Sequence, residues 1–167
     1  LFMTTVDSRT RLGAVCVTGG SGVVGRAVVA ALLDAGKRVC ILDPCAPPEP
    51  IAAHVRHIAA GTADTAALAR ALDGCDAVVH LAASLPQARL DAAGFWKANV
   101  GATLAVASAS VAAGVRRFVF ASTIEIYGPQ SSAVPLDEQA PRRFTGHYSR
   151  NKWECEQRLA EIGARSG

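Results

Sequence analysis

Tyr148 and Lys152 stand at i and i+4, a spacing that puts both side chains on one face of a helix. A phenol with an ordinary pKa near 10 is a poor base at neutral pH. A neighbouring ammonium stabilises the phenolate and lowers that pKa. A drop of about three units requires about 4 kcal/mol of differential interaction. Such a pair can take a proton from a hydroxyl. Thr123 ends an apolar run and offers a hydroxyl that could orient a substrate oxygen toward Tyr148. Alone, Tyr-x-x-x-Lys also describes an ordinary surface pair on a helix, so a second motif has to support it.

That motif lies near the start. Gly19-Gly20-Ser21-Gly22-Val23-Val24-Gly25 follows the apolar run Ala14-Val15-Cys16-Val17 and opens a helical pattern. Gly19, Gly22 and Gly25 are three apart. Glycine permits the tight turn and lets the backbone approach a pyrophosphate, while the helix start supplies free N–H groups and partial positive charge. Gly25 would let the helix pack on the strand. Asp43 ends the next strand, about 20 residues on. A carboxylate there can accept both ribose hydroxyls and would repel a 2′-phosphate, which favours NAD over NADP. The competing reading of Asp43 is a turn residue before Pro44. His80-Leu81-Ala82-Ala83 ends a further strand in small residues, leaving room over the carboxyl edge of the sheet. His80 reads as a buried, hydrogen-bonded core histidine, and no Cys/His spacing resembles a metal site.

The elements that must carry these groups alternate. Strands are expected over Leu12–Thr18, Arg38–Leu42, Val55–Ala59, Ala77–Leu81 and Phe118–Ala121. Helices are expected over about Gly22–Ala35, with Val24, Val28, Ala31 and Leu32 on its apolar face, and over Thr65–Leu72, capped by Asp64. Two longer ones follow over Asp91–Ala113 and His147–Ile162. The proline-rich segment Pro44–Pro50 is a loop, and 127–145 is a long surface loop. Short continuous apolar strands alternating with helices indicate an α/β fold, a Rossmann-like doubly wound parallel sheet with helices on both faces.

The 167 residues suit one dinucleotide-binding domain over 1–167, with 1–11 flexible. A net charge of +3 without a long Lys/Arg cluster is too small to argue for a nucleic-acid partner, and none is expected. Arg116-Arg117 and Arg142-Arg143 read as solvated loop pairs. No apolar run is long enough to span a bilayer, and the five cysteines form no C-x-x-C, so Cys16 and Cys40 read as core residues of a cytoplasmic protein.

In these residues the chain resembles the extended short-chain dehydrogenase/reductases of the nucleotide-sugar epimerase/dehydratase group. The carriers are Thr18 through Gly25, Asp43, His80-Leu81-Ala82-Ala83, Asn99-Val100-Gly101-Ala102-Thr103, Ser122-Thr123-Ile124-Glu125-Ile126-Tyr127-Gly128, and Tyr148 with Lys152. The resemblance implies Thr123, Tyr148 and Lys152 as catalytic hydroxyl, base and phenolate-stabilising ammonium. It implies cofactor contacts, to NAD, from Gly19, Gly22, Val23, Val24, Gly25, Asp43, Leu81, Ala82, Ala83 and Asn99 together with Tyr148 and Lys152. It implies a nucleotide-sugar substrate and a homodimer through the two long helices; no metal is expected, because no Cys/His spacing makes a site.

Three departures bear on function. Ala60-Gly61-Thr62 stands where the family often has a Gly-Asp pair against adenine, so that contact is either lost or replaced by Thr62 or Asp64. Glu125, two residues after Thr123, resembles the acid/base of the family's sugar dehydratases and decarboxylases, or is an exposed loop residue. The chain also stops soon after the Tyr/Lys helix, where the family continues into a substrate lobe, so it is expected to be a fragment of a longer protein. The expected function is an NAD-dependent nucleotide-sugar epimerase working through a 4-keto intermediate. The alternatives are a dehydratase or decarboxylase using Glu125, a non-catalytic dinucleotide sensor, and reduction of a steroid- or flavonoid-type carbonyl.

Overall fold

The computed structural model describes residues 13–129 and 135–166. The expected flexible start, 1–11, lies outside them. The chain divides into two compact units, Leu1–Ala82 with Ala105–Ala121 and Ala83–Leu104 with Ser122–Gly167.

The first unit holds a five-stranded parallel sheet. Its strands are β1 Ala14–Thr18, β2 Arg38–Leu42, β3 Arg56–Ile58, β4 Ala77–His80 and β5 Arg117–Phe120, in the order β3-β2-β1-β4-β5. β2 matches its predicted run to the residue, β3, β4 and β5 fall within one residue at either end, and β1 starts at Ala14 where its run is expected from Leu12, which lies outside the described residues. Because side chains alternate along a strand, β1 feeds two cores. Ala14 and Cys16 join Cys40, Leu42 and Val78 beneath α2 (Thr65–Leu72) and Val106 of α4 (Ala102–Ala112). Val15 and Val17 join Val39, Ile41 and Ala77 beneath α1 (Val23–Asp34). Both faces of the sheet are therefore covered, as buried parallel strands require.

Two details differ from expectation. The buried residues of α1 are Gly25 and Val29, with Leu32 and Leu33 packed beside them, whereas Val24 and Ala31 face outward. The loop after β2 ends in a short 3₁₀ turn, Ile51–His54, that the proline-rich sequence does not announce. Asp64 caps α2 as expected, its carboxylate accepting from Ala67 N at 2.9 Å.

The second unit is helical. The helix expected over 91–113 is a continuous run, but in three parts: α3 Ala92–Trp96, a π turn Lys97–Gly101, then α4, which continues into the first unit's residues. Asp91 caps α3 by accepting from Gly94 N at 2.7 Å. A 3₁₀ turn covers Ile124–Tyr127, and α5 runs from His147 to Ser166, four residues past its expected end. Between them, 135–146 has no helix or strand, in line with the expected loop, of which 130–134 lies outside the described residues. The buried positions of α5 are Ser149, Asn151, Lys152 and Cys155. They are polar or small, which sets this helix apart from an ordinary core helix.

Candidate functional site

In the first unit the strand order reverses between β1 and β4. Ligands of open α/β sheets bind outside the carboxyl ends of strands at such a point, and Gly19 follows β1 there. It has a φ of +72°, and a Cβ on it would fall 2.8 Å from Ala82 N. A Cβ on Gly25 would fall 2.2 Å from Gly19 O and 2.7 Å from the backbone of Gly20. Two of the three spaced glycines are thus required by close backbone approach, and Gly22 N donates to Gly19 O at 3.2 Å to close the turn. Gly22 is the N-cap of α1, with no side-chain cap and no acidic residue in the first turn. The first N–H groups of a helix have no acceptor within it, and no acidic side chain of that turn competes for these. Val23 and Val24 are 79% and 63% exposed, apolar side chains left open beside that helix start.

Asp43 fills the expected turn role. Its Oδ2 accepts from Ser21 N at 3.1 Å and its Oδ1 from Cys45 N at 2.8 Å, so it builds the turn and ties it to the glycine loop. Ser21 Oγ donates to Cys45 O at 2.7 Å across the same gap. Each carboxylate oxygen keeps a second acceptor site. His80 is fully buried, its Nδ1 2.6 Å from Thr18 Oγ1, and stacks on Phe120 with ring centroids 6.0 Å apart. Thr18 Oγ1 also accepts from Ala82 N at 3.4 Å. His80 is thus a core histidine that helps fix Leu81 and Ala82 at the end of β4.

In the second unit Thr123 is the N-cap of the 3₁₀ turn. Its Oγ1 accepts from Glu125 N at 3.3 Å, which leaves the hydroxyl hydrogen for another oxygen. Its neighbour Ser122 donates through Oγ to Glu156 Oε1 of α5. Tyr148 is half-buried on the first turn of α5, and Lys152 is 3% exposed one turn on, its Nζ 5.8 Å from the Tyr148 ring centroid. Ala83 begins this unit. The next residue, Ser84, is held by Asn99, which accepts from Ser84 N at 2.8 Å and donates to Ser84 O at 3.1 Å. Asn99 sits in the π turn, a helix irregularity common at functional sites, and its carbonyl accepts a weak bond from Cys155 Sγ at 3.9 Å. Asn99 thus braces the stretch after β4.

One expectation is corrected. The Tyr148 phenol is pushed up from its ordinary value, first by burial and then by the Glu125 carboxylate. Burial lowers Lys152 to about 8, against a smaller opposing effect of Cys155. A buried ammonium has lost the solvation that favours its charge, and Glu125 disfavours the phenolate. The spacing that brings Tyr148 and Lys152 together does not by itself produce an acidic phenol. Arg142 is a second correction. It is half-buried over two aromatic rings, rather than a solvated loop residue. Those rings, Tyr127 and Trp153, are far from it in sequence, so no local signal marks the contact.

A parallel sheet with a glycine turn at its switch point makes this a Rossmann-like α/β protein. The sequence pattern of the NAD dependent epimerase/dehydratase family matches residues 15–167, and the chain belongs to that family. It is 33% identical over 159 residues to UDP-glucose 4-epimerase of Azospirillum brasilense, covering 92% of this chain and 45% of that protein. A short-chain dehydrogenase/reductase superfamily protein from Agrobacterium tumefaciens, solved with bound NAD, shares 36% identity and superposes with a TM-score of 0.79 over 92% of this chain and 46% of its own. UDP-glucose-4-epimerase from Stenotrophomonas maltophila, solved with NAD and formylated UDP-arabinopyranose, shares 27% identity with a TM-score of 0.82 over 94% and 50%. The chain spans less than half the length of the curated relatives it matches. No helix among the described residues is long and apolar enough to cross a membrane.

The residues of the first unit fit NAD. The cradle at Gly19 and Gly25 has no room for a side chain, the start of α1 is uncapped, and Asp43 has acceptor capacity left over.

Proposed function

We propose that this chain is the dinucleotide-binding part of an NAD-dependent enzyme that epimerises a nucleotide sugar through a 4-keto intermediate. The observation that carries the proposal is the pairing of half-buried Tyr148 with buried Lys152 on one face of α5, Nζ 5.8 Å from the ring. A non-catalytic sensor has no use for a buried ammonium beside a phenol. Relatives named UDP-glucose 4-epimerase support the substrate class.

In this reading Gly19, Gly22, Val23, Val24 and Gly25 hold the pyrophosphate, and Asp43 accepts from the ribose hydroxyls. Leu81, Ala82 and Ala83 leave space at the sheet edge, and Asn99 keeps the stretch after them in place. NAD, when bound, supplies the hydride acceptor and donor. Tyr148 removes the proton of the sugar hydroxyl, and Thr123 donates to the same oxygen and holds it in line. The Lys152 ammonium stabilises the phenolate, opposing Glu125. Returning the proton from Tyr148 completes reduction of the ketone on its other face. A homodimer through the helical run 92–112 and α5 belongs to this proposal, supported by the exposed Trp96 and Val111 on that run. So does a cytoplasmic location, in keeping with five free thiols.

A second reading has its own support. The Glu125 carboxylate lies close enough to disfavour ionisation of Tyr148, where an acid/base for sugar dehydration or decarboxylation would act. Incubating the full-length protein with NAD and UDP-, GDP- and dTDP-sugars separates the two readings. An epimer of the substrate is expected, and a dehydrated or decarboxylated product would move the assignment to the Glu125 chemistry. Tyr148→Phe should abolish turnover and leave NAD affinity nearly unchanged. Turnover within a few-fold of the parent would require another base.

A further inference from the structure

We propose that Arg142 is a positioning residue: its guanidinium ties the turn carrying Thr123 and Glu125 to the helix carrying Tyr148 and Lys152, and so sets their separation. The inference rests on the reading of those residues as the reacting group. Arg142 Nη2 donates to Glu138 O at 2.9 Å and Nη1 to Ala140 O, so the loop before α5 wraps its own guanidinium. The guanidinium carbon lies 4.7 Å from the ring centroid of Tyr127 and 4.5 Å from that of Trp153. Tyr127 is the last residue of the 3₁₀ turn that Thr123 opens, and Trp153 follows Lys152 on α5. One side chain therefore touches both elements.

The backbone repeats the link. Arg143 N donates to Ile126 O at 2.9 Å. Gly128, at φ +71°, lies so close to this strand of loop that a Cβ there would sit 2.6 Å from Arg143 O. Arg142 Nε is buried with no hydrogen-bond partner among the described residues. A buried unpartnered donor is unfavourable, so the guanidinium holds its place through its two carbonyl acceptors and the two rings. A planar, stacking cation suits that role and an ammonium does not.

The chain has two tyrosines, so a Tyr127→Phe background keeps the ring and leaves Tyr148 as the sole phenol for ultraviolet titration. Burial and Glu125 both hold Tyr148 up, and both weaken if the turn drifts from the helix. Arg142→Lys and Arg142→Met, with unchanged far-ultraviolet dichroism, are expected to ionise Tyr148 at lower pH, with an ionisation constant roughly threefold larger or more. The amides of Glu125 and Arg143 should exchange with deuterium about tenfold faster. Folded variants with the parent's Tyr148 titration and Glu125 exchange would overturn the proposal. Trp153→Leu removes one ring and leaves Arg142. It should give a smaller shift of the same sign, and an unmoved titration there would overturn the proposal even where the Arg142 variants do not fold. None of these readouts needs turnover. A full-length Tyr148→Phe that stayed active would remove Tyr148 as the base but leave the clamp, and an unmoved phenol would do the reverse.

Discussion

Gly25→Ala and Gly163→Ala make the same change on two helices and should have opposite signs. In an open helix interior, alanine is favoured over glycine by about 1 kcal/mol, because glycine gives up more backbone entropy on folding. Gly163 is such a place: it lies in α5, and a methyl group added there would meet nothing within 4 Å. Its nearness to the helix end reduces the gain, so Gly163→Ala should stabilise the fold by about 0.5 kcal/mol. At Gly25 the same methyl would sit 2.2 Å from Gly19 O and 2.7 Å from Gly20 Cα and C. These are backbone atoms that cannot swing aside as a side chain can. Overpacking a core costs about 1–3 kcal/mol, and the upper end applies here. Displacing Gly19 O also endangers the bond it accepts from Gly22 N at 3.2 Å, worth about 1 kcal/mol. After the helix gain is subtracted, Gly25→Ala should destabilise the chain by about 3 kcal/mol. Urea unfolding followed by dichroism measures both variants, and calorimetric titration with NAD should show Gly25→Ala binding at least about tenfold more weakly. If Gly25→Ala matched the parent in stability and in NAD affinity, the close approach of α1 to the glycine loop would be refuted.

Lys152→Met should stabilise the cofactor-free chain below pH 8, by up to about 3 kcal/mol, since burial lowers the lysine from 10.5 to about 8. Below pH 8 the charged form is buried at full cost, the cost fades as pH rises from 8 to 10.5, and the variant's advantage in urea unfolding should fade over the same window; an advantage constant with pH would contradict it. Asp43→Asn should keep much of the turn, because a side-chain oxygen remains to accept one of the two N–H groups, but remove the charge facing a 2′-phosphate. Its NAD-over-NADP preference should fall about tenfold by calorimetry, and an unchanged ratio would assign Asp43 to the turn alone. Gly128→Ala combines a φ of +71° with a Cβ 2.6 Å from Arg143 O and should lose about 2 kcal/mol or more in urea unfolding; a neutral result would mean the loop does not lie on the 3₁₀ turn.

Where the controlling interactions are local, the sequence is a good guide. Asp64 and Gly74 bracket α2, and the helix runs between them at Thr65–Leu72. Arg38–Leu42 is an apolar run closed by Asp43-Pro44 and is β2 to the residue. The same reasoning phases α1 wrongly, and the reason is physical. A hydrophobic pattern scores side chains, and Gly25, a buried position of α1 with no room for a Cβ, has none. Of the expected face Leu32 does pack on the core, but assigning Val24 and Val28 to it shifts that part by one residue from the observed Gly25 and Val29. The π turn at Lys97–Gly101 is equally hidden, because its residues are compatible with an uninterrupted helix and only the folded unit shows Asn99 turned to Ser84.

The electrostatics of the pair cannot be read from spacing at all. The i, i+4 rule fixes that Tyr148 and Lys152 share a face, but the sign of each shift depends on what else is there. Burial acts against charge on both residues, and Glu125 adds a second push on Tyr148 in the same direction. At neutral pH the pair is therefore a neutral phenol beside an ammonium whose charge is poorly solvated. An ammonium in that condition gains from any nearby negative charge, and a phenolate forming on Tyr148 is such a charge. Stabilisation of the ionised pair is then conditional, absent while Tyr148 is neutral and growing as its proton leaves. That is the behaviour required of a base whose charge has to be favoured during proton transfer rather than before it. Glu125 opposes the change, so the separation of its turn from α5 decides how much of that stabilisation Tyr148 receives.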